Sequence, residues 1–312
     1  MRILVMGSGG LGGYYGARLA QAGNDVAFIA RGAHLEAMQA RGIEVRERER
    51  ESFRLDPVRA YRRPVDAGGT YDVVLFGVKA YDTPEAAEAI APVVGPETNV
   101  VPLQNGIDST DEIGRAIDPR RILVGTVQMS AKIAEPGVIE RLSGTTAMKI
   151  GEPDGGRSAR VEAIVGAFHA AGMEDVLAAE DATRALWEKF LWLAPIATLN
   201  SATGLPTGKI RAIPEGRETM LALQREIRAV GLAAGVNLPE ASIQLAESMF
   251  ANMTDAHTVS MQRDFEAGRR VELETLAGSV VRRGRRHGVP TPIFGALYAV
   301  LRARALEFGG VS

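Results

Sequence analysis

The sequence predicts an α/β protein whose first part is a doubly wound parallel sheet and whose second part is all helical. Three observations carry that prediction. Short apolar runs bounded by Gly, Pro and Asn alternate with helical stretches through the first half. A glycine-rich turn joins the first strand-like run to the first helix. From Asp181 onward the strand-like runs vanish and apolar residues recur at helical spacing. The 312 residues leave room for about two domains, expected at residues 1–179 and 180–312.

Element by element, a strand is expected at 3–6, a helix at 14–22 ended by Gly23, and a second strand at 26–30, which together make a βαβ unit. Further strands are expected at 73–78, 100–103 and 122–127, with a helix at 83–90. Between residues 43 and 58 the charges alternate, Glu-Val-Arg-Glu-Arg-Glu-Arg-Glu, which suits a solvated surface hairpin. A helix at 161–171 and a short strand at 176–177 are expected to close the sheet. The helical part reads as segments 182–198, 215–234, 239–253, 271–287 and 293–307.

Gly7-Ser8-Gly9-Gly10-Leu11-Gly12 follows a strand and opens a helix, the context in which a G-x-G-x-x-G pattern binds a dinucleotide. The first glycine permits the tight turn, the second lets backbone approach a pyrophosphate, and the third lets the helix pack on the strand. The phosphates then meet the positive helix N-terminus. Gly7, Ser8, Gly9, Gly10, Leu11 and Gly12 are therefore the expected cofactor contacts, in a Rossmann-type domain. Where an acid would hold the ribose hydroxyls of NAD, the chain reads Ala30-Arg31-Gly32. An arginine there suits a 2′-phosphate, which makes NADP the expected cofactor.

Composition narrows the partners. Thirty-six Lys and Arg against 38 Asp and Glu give a formal charge of −2, so no basic field attracts nucleic acid. The absence of cysteine removes disulfides, thiolate nucleophiles and Cys-ligated metals. None of His34, His169, His257 and His287 has metal-pair or triad spacing. The first apolar run is shorter than the core of a signal peptide, and no run reaches the ~18 residues of a membrane span. A cytoplasmic protein with a small-molecule ligand, no membrane and no nucleic-acid partner is expected; a homodimer is one assembly open to it.

Candidate chemistry lies at strand ends and in the helical part. Lys79 and Asn105 each follow a strand at its carboxyl end, where open α/β sheets bind ligands. A surface lysine and an Asn-Gly turn fit the same residues as well. Lys189 lies within the apolar helix Trp187-Glu188-Lys189-Phe190; it can snorkel, or partial burial can lower its pKa into the range of a proton donor. Ser260 and Glu272 are 12 positions apart, about 18 Å on one unbroken helix. A helix end at Gly268 could bring them together, although a cap and a solvated acid are the simpler local reading.

Taken together, the glycine-rich start, Ala30-Arg31-Gly32-Ala33-His34-Leu35, Val78-Lys79-Ala80, Gln104-Asn105-Gly106, Trp187-Glu188-Lys189-Phe190, and the stretch from Ser260 through Gly268, Arg269 and Glu272 to Gly288-Val289-Pro290-Thr291-Pro292 resemble the ketopantoate reductase family. The matching segments run in order over nearly the whole chain. The resemblance implies NADPH and a 2-keto acid bound between the two domains, and reduction of 2-dehydropantoate to pantoate. It assigns Lys189 as general acid, Glu272 as its partner acid on the substrate hydroxyl, and Asn105 and Ser260 as substrate contacts. Lys79 and Asn105 are placed near the cofactor.

The chain also departs from the family pattern. Biosynthetic members carry asparagines one and two turns after the lysine, where this chain has Leu193 and Ala197, and His257 replaces an asparagine before the serine. Each change removes a partner for a polar substrate, which opens an alternative: a reductase of a less polar 2-keto acid. Two other readings compete, a 3-hydroxy-acid dehydrogenase and a non-catalytic NADP-binding sensor. The Ser260 to Glu272 pattern argues against the first, and Lys189 with Glu272 against the second.

Overall fold

A computed structural model describes residues 1–142 and 145–307. It forms two compact units: Met1–Gln104 with Ser109–Thr183, and Asn105–Asp108 with the chain from Arg184 onward. The first unit is α/β and the second is helical, as the periodicity predicts.

In the first unit the chain runs β1 (Arg2–Met6), α1 (Gly10–Gln21), β2 (Asp25–Ile29), α2 (Gly32–Arg41), β3 (Ile43–Arg46), β4 (Phe53–Leu55), β5 (Arg59–Tyr61), β6 (Val73–Phe76), α3 (Thr83–Ile90), β7 (Asn99–Pro102), α4 (Ser109–Ile113), β8 (Val124–Val127), β9 (Ala131–Glu135), β10 (Val138–Arg141), β11 (Met148–Gly151), α5 (Ala159–Ala170) and β12 (Val176–Ala178). Five parallel strands form the main sheet in the order β5-β2-β1-β6-β7. Alternate residues of each central strand enter different cores. Ile3 and Val5 of β1 pack with Tyr14 and Ala17 of α1, while Leu4 and Met6 pack with Ala86, Ala87 and Ile90 of α3. Burial on both faces explains why these strands read as continuous apolar runs rather than as alternating ones.

Three expectations are corrected. The run expected at 122–127 does not join the parallel sheet as a strand. Apart from a single bridge from Ile122 to Val100, it forms β8, which pairs antiparallel with β11. The strand at Val176–Ala178 likewise pairs with β11, so β12-β11-β8 is a separate sheet. The charged stretch after residue 43 does begin as a hairpin, β3 against β4, but β10 pairs with β3 on its other edge. Ile43 and Val45 are fully buried in the core beneath α1. Glu47 just beyond is also buried, its side chain 0% exposed and bonded by Arg141 Nε at 2.8 Å, by Arg18 and by the Tyr14 hydroxyl at 3.2 Å. Alternating charge misleads here because the acid's counter-ions come from α1 and β10, far away in sequence.

The helical unit comprises α6 (Ala182–Thr203), α7 (Thr207–Arg211), α8 (Pro214–Ala233), α9 (Glu240–Asn252), α10 (Ser260–Glu266), α11 (Ser279–His287) and α12 (Pro292–Leu306). Its core gathers Trp187, Phe190 and Leu191 of α6, Leu223 and Ile227 of α8, Ile243 of α9, Phe265 of α10 and Phe294 and Leu301 of α12. The helix expected at 271–287 is not uniform. One π-helical turn, Glu274–Gly278, precedes α11, a local widening of the kind found where a helix is reshaped around a site. No described helix is long and apolar enough to cross a membrane.

Candidate functional site

The glycine-rich turn has the shape that phosphate binding needs. Gly7 takes φ +94°, and a β-carbon there would stand 2.7 Å from the Val78 backbone nitrogen. At Gly12 it would stand 2.3 Å from Gly7 O, and at Gly10 2.2 Å from Ala131 O. Gly9 differs, with nothing within 4 Å of its missing β-carbon. It is the N-cap of α1, with no side-chain cap bond and no acid in the first turn. The leading amides of α1 thus face open space through a residue without a side chain, a cradle that fits a pyrophosphate.

The turn is braced from behind. Ser8 is buried and its Oγ donates to Ile29 O at 3.0 Å. Ser8 O lies 2.9 Å from His34 Nε2, and His34 Nδ1 accepts from the Gly137 amide at 2.9 Å. Those two bonds fix the imidazole as a neutral ring carrying its proton on Nε2, and burial pushes its pKa below the usual value. Sequence reasoning set His34 aside because it has no partner at metal or triad spacing; its bracing role depends on a turn 103 positions away.

Arg31 is the N-cap of α2, directly after β2, and is paired with Glu85 at 3.3 Å with side chains 57% and 74% exposed. Lys79 is exposed at the end of β6 and caps a short helical turn, Ala80–Asp82. Gln104 links the ends of two strands in the same region, its Nε2 donating to Val78 O at 3.0 Å and to Thr83 Oγ1 at 2.7 Å, while its Oε1 has no partner among the described residues. A glutamine next to Asn105 was the only sequence signal for it.

In the helical unit the structure brings Asn105, Lys189 and Glu272 together. Lys189 on α6 is 7% exposed, as is Glu272. Lys189 Nζ donates to Asn105 Oδ1 at 2.8 Å. Burial pushes the lysine down from the ordinary 10.5 to about 8, against the pull of the Glu272 charge in the opposite direction. The neighbouring Glu188 is occupied elsewhere, accepting from Arg184 at 2.9 Å and from Ser242 at 2.8 Å. An ammonium with a pKa near neutrality, held by a neutral acceptor and an acid, is suited to donate a proton to a growing alkoxide.

Ser260 is the half-buried first residue of α10, and that helix ends at Gly268 with φ +61°. The helix break expected between Ser260 and Glu272 is therefore present. Leu193 is partly buried and Ala197 is 1% exposed, both packed with the helical core one and two turns after Lys189. His257 is half-buried, and burial first and Arg263 second lower its pKa.

Comparison with known proteins gives a consistent family. A sequence model described as ketopantoate reductase PanE/ApbA matches residues 3–155, and one for the C-terminal part of the same family matches residues 181–305. A 2-dehydropantoate 2-reductase of Mesorhizobium japonicum is 31% identical, covering 99% of both chains. The crystal structure of a 2-dehydropantoate 2-reductase from Methylococcus capsulatus superposes with a TM-score of 0.90 at 31% identity, over 100% of this chain and 99% of that one. D-mandelate dehydrogenase, solved with NADH and anilino(oxo)acetate, shares the fold at a TM-score of 0.88 over 99% of this chain and 100% of its own, at 19% identity.

Proposed function

Because the chain belongs to the ketopantoate reductase family, and so is an oxidoreductase acting on CH–OH groups, we propose that it reduces a 2-keto acid to the 2-hydroxy acid with NADPH, 2-dehydropantoate being the leading substrate. The observation that carries this reading is the buried Lys189, with a pKa of about 8 and its Nζ 2.8 Å from Asn105 Oδ1. Gly7, Ser8, Gly9, Gly10, Leu11 and Gly12 would hold the pyrophosphate of the cofactor, Arg31 the 2′-phosphate, and Lys79 and Asn105 would lie near the nicotinamide end. When bound, the nicotinamide supplies the hydride that reduces the carbonyl carbon.

This chain's own residues manage the proton. Lys189 as ammonium stabilises negative charge growing on the substrate oxygen and then transfers its Nζ proton to that oxygen. Glu272 favours the charged form of the lysine before transfer and accepts from the new hydroxyl after it. Asn105 and Ser260 provide polar contacts for the substrate.

Leu193, Ala197 and His257 support a second reading of the substrate, a bulkier or less polar 2-keto acid. Each lost amide that strands no partner costs ~1 kcal/mol, so three losses would raise KM for 2-dehydropantoate by roughly two orders of magnitude. The test is NADPH consumption across a panel of 2-keto acids, from 2-dehydropantoate to branched and aryl members. Micromolar KM for 2-dehydropantoate alone would reject the less polar substrate. No NADPH consumption with any 2-keto acid would reject the function.

A further inference from the structure

Asn105 is one residue of a four-residue segment, and three attachments fix that segment to the helical unit. Gly106 takes φ +95° with its backbone so close to α11's preceding turn that a β-carbon would stand 2.3 Å from Thr275 Cγ2. Ile107 is buried in the helical core, and its carbonyl accepts from Arg283 Nη2 at 3.2 Å. Asp108 accepts from Arg283 Nε at 2.7 Å and from Arg282 Nη2 at 3.2 Å. The Asp108 and Arg283 side chains are only 16% and 14% exposed.

Arg283 also reaches the lysine's helix. Its guanidinium lies 5.9 Å from the centroid of the Trp187 ring, a contact of cation–π range, and Trp187 is two residues before Lys189 on α6. One planar side chain thus grips both the segment that carries Asn105 and the helix that carries Lys189. Its neighbour Arg282 is tied to Glu274 at 2.7 Å, and Glu274 in turn accepts from the Tyr298 hydroxyl at 2.6 Å. Glu272 lies two residues before Glu274 on the same stretch.

We infer that Asp108 and Arg283 are positioning residues that hold Asn105 Oδ1 on Lys189 and thereby keep the lysine in its proton-donating form. The inference rests on reading Lys189 as the proton donor. Burial disfavours the ammonium; a carbonyl acceptor and the Glu272 charge favour it. Releasing the segment removes the acceptor and leaves Glu272 alone to oppose burial, so the lysine loses its proton at lower pH.

The test is an NMR titration of the Lys189 side chain in the full-length protein without ligands, with Lys189→Met assigning the signal. Asp108→Asn and Arg283→Met should each move the titration down by roughly one to two units, the size expected for losing one hydrogen bond to a charged group. Asp108→Glu, which keeps the charge, should restore it. In turnover the basic limb of kcat should move by the same amount, while KM for the keto acid changes less than about threefold. A lysine titration unmoved in Asp108→Asn, whatever happens to thermal stability, would overturn the inference. Should Arg283→Met fail to fold, Asp108→Asn replaces a single oxygen and decides alone. The NMR arm needs no substrate, so failure of the reductase reading and failure of the clamp are separately visible.

Discussion

Lys189 Nζ and Asn105 Oδ1 are 2.8 Å apart although 84 positions separate the two residues. The lysine is delivered by the longest helix and the asparagine by a four-residue segment after β7. Their meeting gives a buried cation, costly by itself, a fixed acceptor, the arrangement that the proposed proton donor requires.

If that proton reaches the substrate, Lys189→Ala lowers kcat by about 10² to 10⁴ and leaves NADPH affinity nearly unchanged. The pH dependence follows from the lysine's shifted value. A general acid must be protonated to work, so kcat is level below the lysine's pKa and falls as pH rises through about 8. Steady-state kcat across that range checks both statements, and a basic limb near the ordinary lysine value would contradict them.

Arg31 should confer a preference for NADPH of at least about tenfold, because a charge-assisted pair contributes ~1.5 to 3 kcal/mol. Its present partner Glu85 is no obstacle: both side chains are mostly exposed, and such surface pairs are worth ~0 to 1 kcal/mol. The measurement is kcat/KM for NADPH and NADH in wild type and Arg31→Ala, with the preference collapsing in the variant.

Two neighbouring glycines should separate folding from binding. Gly10→Ala drives a β-carbon against Ala131 O, an overpacking worth ~1 to 3 kcal/mol and so several degrees of Tm. Gly9→Ala meets nothing within 4 Å and has an ordinary φ of −73°, so Tm should hold while NADPH affinity falls. Calorimetry paired with fluorescence titration of NADPH reads both, and full affinity in Gly9→Ala would move the phosphates elsewhere.

Arg141→Leu should cost about 3 to 5 kcal/mol, because it strips a buried carboxylate of one of its two arginines. Glu47 is 0% exposed and Arg141 3%. Replacing both residues by leucine should recover only part of the loss, since Glu47 is no longer stranded but Arg18, its side chain 12% exposed, loses its carboxylate. Urea unfolding of the single and double variants decides it.

The parallel sheet and the glycine turn were readable because their signals are local: continuous apolar runs, a G-x-G-x-x-G after a strand, and Arg31 after the next strand. Lys189 was readable as an oddity in an apolar helix, but its bond to Asn105 was not, since no local pattern links positions 84 residues apart. Glu47 was misread for the same reason, its arginines lying on α1 and β10. The π-helical turn at Glu274–Gly278 was invisible, because one extra residue in a turn barely disturbs helical periodicity. The break at Gly268, by contrast, followed from a single glycine at a helix end.

The Asn105–Asp108 segment has a consequence for biosynthesis. A ribosome delivers it between two elements of the α/β unit, yet Arg283, which clamps it, emerges 175 residues after Asp108. A nascent chain that has completed the parallel sheet therefore still carries Ile107 uncovered and Asp108 without its guanidinium. Cutting the gene near codon 180 would give a helical fragment whose lysine lacks its acceptor, so the two halves cannot be exchanged between relatives as independent cassettes unless these four residues travel with the second half.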